Sequence, residues 1–148
     1  MELSNDWVVG FVDGEGCFHV SLNQHDDMTA GYQVLPEFVV VQHERDIQIL
    51  HALRRFFQAG VVRQNHGDRY CLRIRKLSSL LAVCEFFQSH SLKTKKNSDF
   101  KKFRKIVVLM ENKLHLEQVG LLKIVDIALT MNTANRPKLI EVRDFLTG

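Results

Sequence analysis

Hydrophobic and polar positions change period several times along this chain, and each change marks the edge of an element. Residues 7–12 form an unbroken apolar run, Trp-Val-Val-Gly-Phe-Val, preceded by Ser4, Asn5 and Asp6. Those three are good N-cap residues, so the run predicts a short helix, stopped by Gly14 and Gly16. Strict alternation follows at once: Phe18, Val20 and Leu22 on one side, His19, Ser21 and Asn23 on the other, a strand over 17–24. A polar loop ending in Gly31 leads to a second strand over 33–42. Its Val34, Phe38 and Val40 are expected to face the core, with Gln33, Leu35, Glu37 and Val39 opposite; Pro36 points to a bulge or an edge position. Helical spacing returns after His43-Glu44-Arg45-Asp46 with Ile47, Leu50, Leu53, Phe56 and Phe57, and Gly60 closes that helix. A second hairpin over 61–65 and 69–76, turning at 66–68, sets Tyr70, Leu72 and Ile74 against Arg69, Cys71, Arg73 and Arg75. A helix over 78–89 follows, then one through Phe100, Phe103, Val107, Leu109 and Met110. Two more near 117–131 and 137–146 complete the chain, with Pro137 suited to a first turn. The order is αββαββα plus C-terminal helices. This is an α+β class, read as one domain over residues 1–148 with both hairpins in one antiparallel sheet under helices.

Composition narrows the class. The 148 residues are 45% hydrophobic and 25% charged, enough to bury a core. No apolar run has membrane-span length and no leader pattern precedes the first helix, so no membrane partner is expected. The three cysteines are isolated, with neither zinc nor disulfide spacing, which favours a reducing intracellular compartment. Net charge is only +3, yet it is unevenly spread: residues 93–105 hold seven cations against one acid, Asp99. The non-core face of the sheet carries Arg63, Asn65, Arg69, Arg73 and Arg75 with His19, Ser21, Asn23, Gln33 and Glu37. An ordinary solvated face mixes Lys and Glu; this one holds the side chains that hydrogen-bond base edges. Ten strand residues span roughly 30 Å, or about nine base pairs of double-stranded DNA per subunit. Neither a third glycine for a dinucleotide loop nor a zinc-protease histidine pair is present; the expected partner is double-stranded DNA and no small-molecule substrate.

Two features of the opening stretch work against the fold. Gly10 inside a helix costs about 1 kcal/mol relative to Ala. Asp13 and Glu15 stand at the negative end of the helix dipole. A partner backbone approaching at Gly10 and a cation bound at the helix end would account for both. A small-residue helix ending in an ordinary glycine turn, with a solvated Glu15, would also fit. The wording of the segment adds to this: Val9-Gly10-Phe11-Val12-Asp13-Gly14-Glu15-Gly16 resembles the LAGLIDADG motif of the homing endonucleases, in the form ending Asp-Gly-(Asp or Glu)-Gly. That family has the αββαββα order, and the resemblance covers residues 5 to about 105.

The resemblance implies the LAGLIDADG homing endonuclease fold and a metal-dependent enzyme that makes a staggered break in double-stranded DNA. Glu15 is then the catalytic carboxylate and a ligand of a divalent metal, most simply Mg2+, which prefers hard oxygen donors. The main-chain carbonyl of Gly14 becomes a second ligand. Asp13 supports the helix end, and Val9, Gly10 and Asp13 lie where two such helices meet. Gln42 stands where the family often has a water-organising Gln, although a plain strand-end polar residue reads equally well. Leu92-Lys93-Thr94-Lys95-Lys96 resembles the family's Leu-x-(Thr or Leu)-Lys segment, making Lys95 the catalytic cation, with Lys93 or Lys96 as alternatives. Relatives with a further basic residue four positions after the Gln find Asp46 matched here, which leaves Arg45 beside it. Gln118–Asp126 comes nearest to a second motif but lacks the terminal Gly-acid-Gly. One motif implies a homodimer with its helix on the two-fold axis and a pseudo-palindromic target. An intron-encoded protein of an organelle (chloroplast or mitochondrion) or of prokaryotic cytoplasm would suit it. Two rivals share the fold: an RNA-binding intron maturase and a DNA-binding regulator without cleavage, the latter disfavoured by an intact Glu15.

Overall fold

A computed structural model describes residues 1–132 and 136–148 of the chain. The elements are α1 (Asn5–Glu15), β1 (Gly16–Gln24), β2 (Tyr32–His43), α2 (Ile47–Phe57), β3 (Val61–His66), β4 (Arg69–Ile74), α3 (Leu77–Ser89), α4 (Lys96–Glu111), α5 (Gln118–Leu129) and α6 (Pro137–Thr147). Short 3-10 turns occupy Glu44–Asp46 and Leu114–Leu116. The four strands form one sheet in the order β1-β2-β4-β3. β2 and β4 are antiparallel, from Phe38 opposite Ile74 to His43 opposite Arg69, and β3 pairs β4 with Val61 opposite Arg73. The expected α+β class and element order are thus observed.

The chain forms two compact units, residues 1–18 with 37–100 and residues 19–36 with 101–148. In the first, aromatic rings make much of the core. Phe18 lies 5.2 Å from Phe38 and 5.5 Å from Phe100, and Phe87 stands edge-on to Phe18 at 5.8 Å. Phe56, Phe57 and Phe86 extend the cluster with perpendicular contacts of 5.1 to 5.7 Å. Such edge-to-face packing suits the ring quadrupole and holds α2 and α3 at a fixed spacing. In the second unit, Phe103, Ile106 and Val107 of α4 are fully buried, as are Leu121, Ile124 and Val125 of α5. Gly120 is required there: a Cβ would sit 1.9 Å from the Leu114 carbonyl oxygen.

Several local expectations need correction. α1 continues through Gly14 to Glu15, and Gly16 alone takes the cap position. α2 ends at Gln58, which adopts the left-handed conformation (φ 53°), two residues before Gly60 (φ 94°). Pro36 is buried within β2, an interior strand of the sheet, but lies outside the β4 ladder, which begins only at Phe38 and needs no N–H from it, so its place is locally the edge position expected. Val39 is 8% exposed despite its place on the non-core face, where its register partner is the long side chain of Arg73. On α4, Ile106 is core, while Leu109 and Met110 are only half-buried. No helix among the described residues is long and apolar enough to cross a membrane.

Candidate active site and nucleic-acid face

The Ser4 hydroxyl accepts the Trp7 N–H at 3.2 Å and starts α1; the Gly16 N–H donates to the Val12 carbonyl and ends it. A Cβ at Gly16 would meet Val12 Cγ1 at 2.6 Å, so glycine lets the chain turn directly from helix into strand. Trp7, Gly10 and Gly14, spaced by three and four residues, share one exposed face of the helix. Nothing lies within 4 Å of a Cβ placed at Gly10 or Gly14. An open groove of about 510 Å³ runs along α1 past Gly10 and Asp13 to Ser89 and His90 at the end of α3. Val9, expected at the interface with Gly10 and Asp13, is 8% exposed and already packed inside its own chain.

Asp13 faces the segment before α4. Its carboxylate accepts the Lys93 N–H at 2.7 Å, the Thr94 N–H at 3.1 Å and the Thr94 hydroxyl at 2.8 Å. Burial alone would raise its pKa. The Lys93 and Thr94 hydrogen bonds and the charge of Lys96 outweigh that, holding the carboxyl below its ordinary 3.8. The segment before α4 is thereby fastened to the end of α1. Lys96, at the start of α4, is half-buried, and its ammonium donates to the Gly16 carbonyl, one residue past Glu15. Lys95, the cation expected from the sequence, instead pairs with Asp99 at 3.0 Å, an i,i+4 contact to an acid only 7% exposed. The two lysines therefore part: one faces the helix end, the other braces α4.

Glu15 is exposed at the last position of α1. The last carbonyls of a helix lack intrahelical donors, so Gly14 and Glu15 present oxygens where the dipole is negative and the last turn holds no cation. This set of hard oxygens fits a divalent cation such as Mg2+ in type but not in number. No group of three or more His, Cys, Asp or Glu able to hold a metal occurs among the described residues. Where a protein supplies so few ligands, water and phosphate oxygens complete the shell of Mg2+. Gln42 is the penultimate residue of β2. The seven-residue connection after β1 makes β1 and β2 run antiparallel, so the end of β2 and the start of β1 share one end of the sheet. Gln42 and Glu15 therefore lie at that end. His43 beside it accepts the Arg45 N–H through Nδ1 and meets Asp68 at 2.8 Å through Nε2.

On the sheet of the first unit, Arg63, Asn65, Arg69 and Arg75 are exposed and Arg73 is half-buried. Glu37 bridges two of them, its Oε2 lying 2.8 Å from Arg75 Nε and 3.2 Å from Arg73 Nε. In the second unit, Asn23 is exposed, and His19, Ser21 and Gln33 are half-buried. There Lys138 Nζ donates to Asn23 Oδ1 at 3.0 Å, and Arg136 donates to the Val20 carbonyl and approaches His19 Nε2 at 3.5 Å. Sequence reasoning missed Arg136 and Lys138, because nothing local ties the start of α6 to β1. Lys96 had been named there as an alternative to its immediate neighbour Lys95.

The sequence pattern described as LAGLIDADG endonuclease matches residues 8–107. The chain is 30% identical over 124 residues to the probable intron-encoded endonuclease 2 of Neurospora crassa, covering 82% of this chain and 26% of that protein. It is 28% identical over 131 residues to the probable intron-encoded endonuclease 3 of the same organism, covering 86% and 25%. The chain thus spans about a quarter of the length of these curated relatives. Among solved structures, it resembles a homing endonuclease, I-TnaI, with a TM-score of 0.96, 60% identity and 99% of each chain covered. It also resembles the I-SmaMI LAGLIDADG homing endonuclease bound to cleaved DNA, with a TM-score of 0.93 and 31% identity over 98% of this chain and 49% of that one.

Proposed function

The chain belongs to the LAGLIDADG endonuclease family, and on that premise we propose that residues 1–148 act as one domain of a site-specific, divalent-metal-dependent homing endonuclease on double-stranded DNA. The observation that carries the proposal is that α1 ends on an exposed Glu15 and that the carbonyl of the next residue, Gly16, takes the Lys96 ammonium. Glu15 and the Gly14 carbonyl would hold the metal, which when bound supplies Lewis-acid polarisation of phosphate and a more acidic water. Lys96 replaces Lys95 in this proposal as the cation that neutralises charge on the phosphate. Its two contacts, the Gly16 carbonyl and the through-space charge of Asp13, keep the ammonium aimed at the helix end. Gln42, at the same end of the sheet, orients a water by hydrogen bonding. Asp13 touches neither metal nor phosphate in this scheme; it anchors the segment that delivers Lys96.

Cleavage of both strands needs two such centres. The open Trp7–Gly10–Gly14 face fits close packing against the same face of a second copy, which would bring two Glu15 carboxylates together. The I-SmaMI enzyme bound to cleaved DNA is about twice as long as the part this chain matches, which supports a two-copy assembly. Base reading is assigned to Arg63, Asn65, Arg69, Arg73 and Arg75 on the first unit, and to His19, Ser21, Asn23 and Gln33 on the second. Intron encoding follows the printed names of the curated relatives. The test is selection of cleaved sites from a random duplex library with Mg2+. A long pseudo-palindromic consensus is expected; absence of any selected cleavage would refute the proposal.

A further inference from the structure

Glu37 is an acid in the middle of a face otherwise built to meet phosphates and bases. We infer that it is a positioning residue that sets base-pair discrimination by holding Arg73 and Arg75; the inference rests on the DNA-binding reading above. All three residues belong to the first compact unit. Phe38 stands opposite Ile74 in the antiparallel ladder, so Glu37 comes next to Arg75, and Arg73 lies two residues back on the same strand face. A single carboxylate oxygen accepts the Arg75 Nε–H at 2.8 Å and forms an ion pair with Arg73, whose buried Nε lies 3.2 Å away without a hydrogen bond. The Glu37 side chain is 15% exposed, against 37% for Arg73 and 62% for Arg75, so the acid lies beneath the guanidinium groups.

The chemistry gives this arrangement a use. A guanidinium is a rigid plane with five N–H donors. With its Nε–H donated to Glu37, Arg75 keeps four Nη donors in a fixed orientation on its outward edge, the fork that matches O6 and N7 of guanine, while the ion pair holds Arg73 beside it. The carboxylate also lowers the charge of the trio from +2 to +1, weakening its attraction to any phosphate irrespective of sequence. Without it, two like-charged side chains on one face repel and swing freely, and each reaches backbone as readily as bases. Discrimination falls while general affinity rises. A plain surface ion pair would do neither, since its loss alters stability slightly and all DNA sequences alike.

The experiment measures binding of the wild type, E37Q and E37A to a library-selected duplex and to every single-base-pair variant of it, at several salt concentrations. Expected is a local loss: discrimination at the base pairs disturbed by R73A and R75A drops from about tenfold to under threefold, with other positions unchanged. Non-cognate DNA should bind more tightly, and the log–log salt slope should steepen by about one to two units as freed guanidiniums take phosphates. A base profile unchanged in folded E37Q, or one flattened equally at every position, would overturn the inference. A readout without DNA guards against a misfolded variant. In 15N spectra of arginine side chains, the Arg75 Nε–H should exchange slowly in the wild type and rapidly in E37Q; fast exchange in the wild type overturns the clamp. A wild type that selects no DNA refutes the endonuclease reading instead, and leaves the exchange measurement to judge the clamp alone.

Discussion

Replacing Asp13 with Asn removes one negative charge and leaves the shape almost intact, so it isolates what the carboxylate does. The wild-type group accepts three hydrogen bonds at 2.7, 2.8 and 3.1 Å from Lys93 and Thr94. Asn keeps one acceptor oxygen, but its amide nitrogen then faces a donor. Hydrogen bonds to a buried charge are worth about 1.5–3 kcal/mol each; here the site is half-open to water, so about 2 kcal/mol is expected in total. In a domain of this size that is a fall in Tm of roughly 4–8 °C. Because the folded-state pKa lies below the ordinary 3.8, the stabilisation is complete above that value and disappears as pH falls through the folded pKa. The gap between wild type and D13N should therefore be largest at neutral pH and close as pH falls through the folded pKa. Cleavage should fall further than DNA affinity, since the Lys96 ammonium loses its anchor. Thermal melts across the pH range, paired with cleavage and gel-shift titrations, measure all three. A gap that stays constant with pH, or D13N melting like the wild type at neutral pH, would refute the reasoning.

Three further outcomes follow from the same geometry. G10L should raise helix propensity in the isolated chain, where a Cβ meets nothing within 4 Å, yet convert the dimer to monomer and abolish double-strand cleavage; sedimentation velocity reads the assembly state, and a wild type that sediments as a monomer with bound DNA sinks the helix-pair model. G16A should cost about 1–3 kcal/mol, because its Cβ would press on the fully buried Val12 at 2.6 Å, while G14A should leave the Tm of the isolated chain nearly unchanged; equal melting curves for the two variants would contradict this. K96A should lower single-turnover cleavage by about a hundredfold or more with metal affinity retained, whereas K95A should mainly loosen α4 through Asp99; the reverse ranking would return the catalytic role to Lys95.

The fold was legible wherever periodicity was clean. Ser4 announced α1, the change to alternation at Phe18 announced β1, and the Gly67 turn (φ 58°) closed the second hairpin as expected. Boundaries failed where a residue took an uncommon backbone state that propensity does not forecast, as Gln58 did in place of Gly60. Val39 failed for a related reason: its burial depends on a strand neighbour, Arg73, distant in sequence. In the site, Glu15 was readable because an acid at a negative helix end has a local cost. The partners of Asp13, 80 and 81 residues away, were not readable, nor were the Lys138–Asn23 contact and the Glu37 bridge. For Lys95 and Lys96, motif spacing narrowed the choice to neighbours, and only the direction of each side chain separates them.

The central claim, that Glu15 at the end of α1 serves cleavage and is dispensable for DNA binding, is tested most directly by E15Q on a library-selected duplex with and without Mg2+. The substitution keeps size and one oxygen, removes the charge that would hold the cation, and takes a carboxylate away from a negative helix end. Cleavage should fall to background while DNA affinity holds or rises, and the metal-free protein should melt slightly higher. Normal cleavage by E15Q would contradict the account.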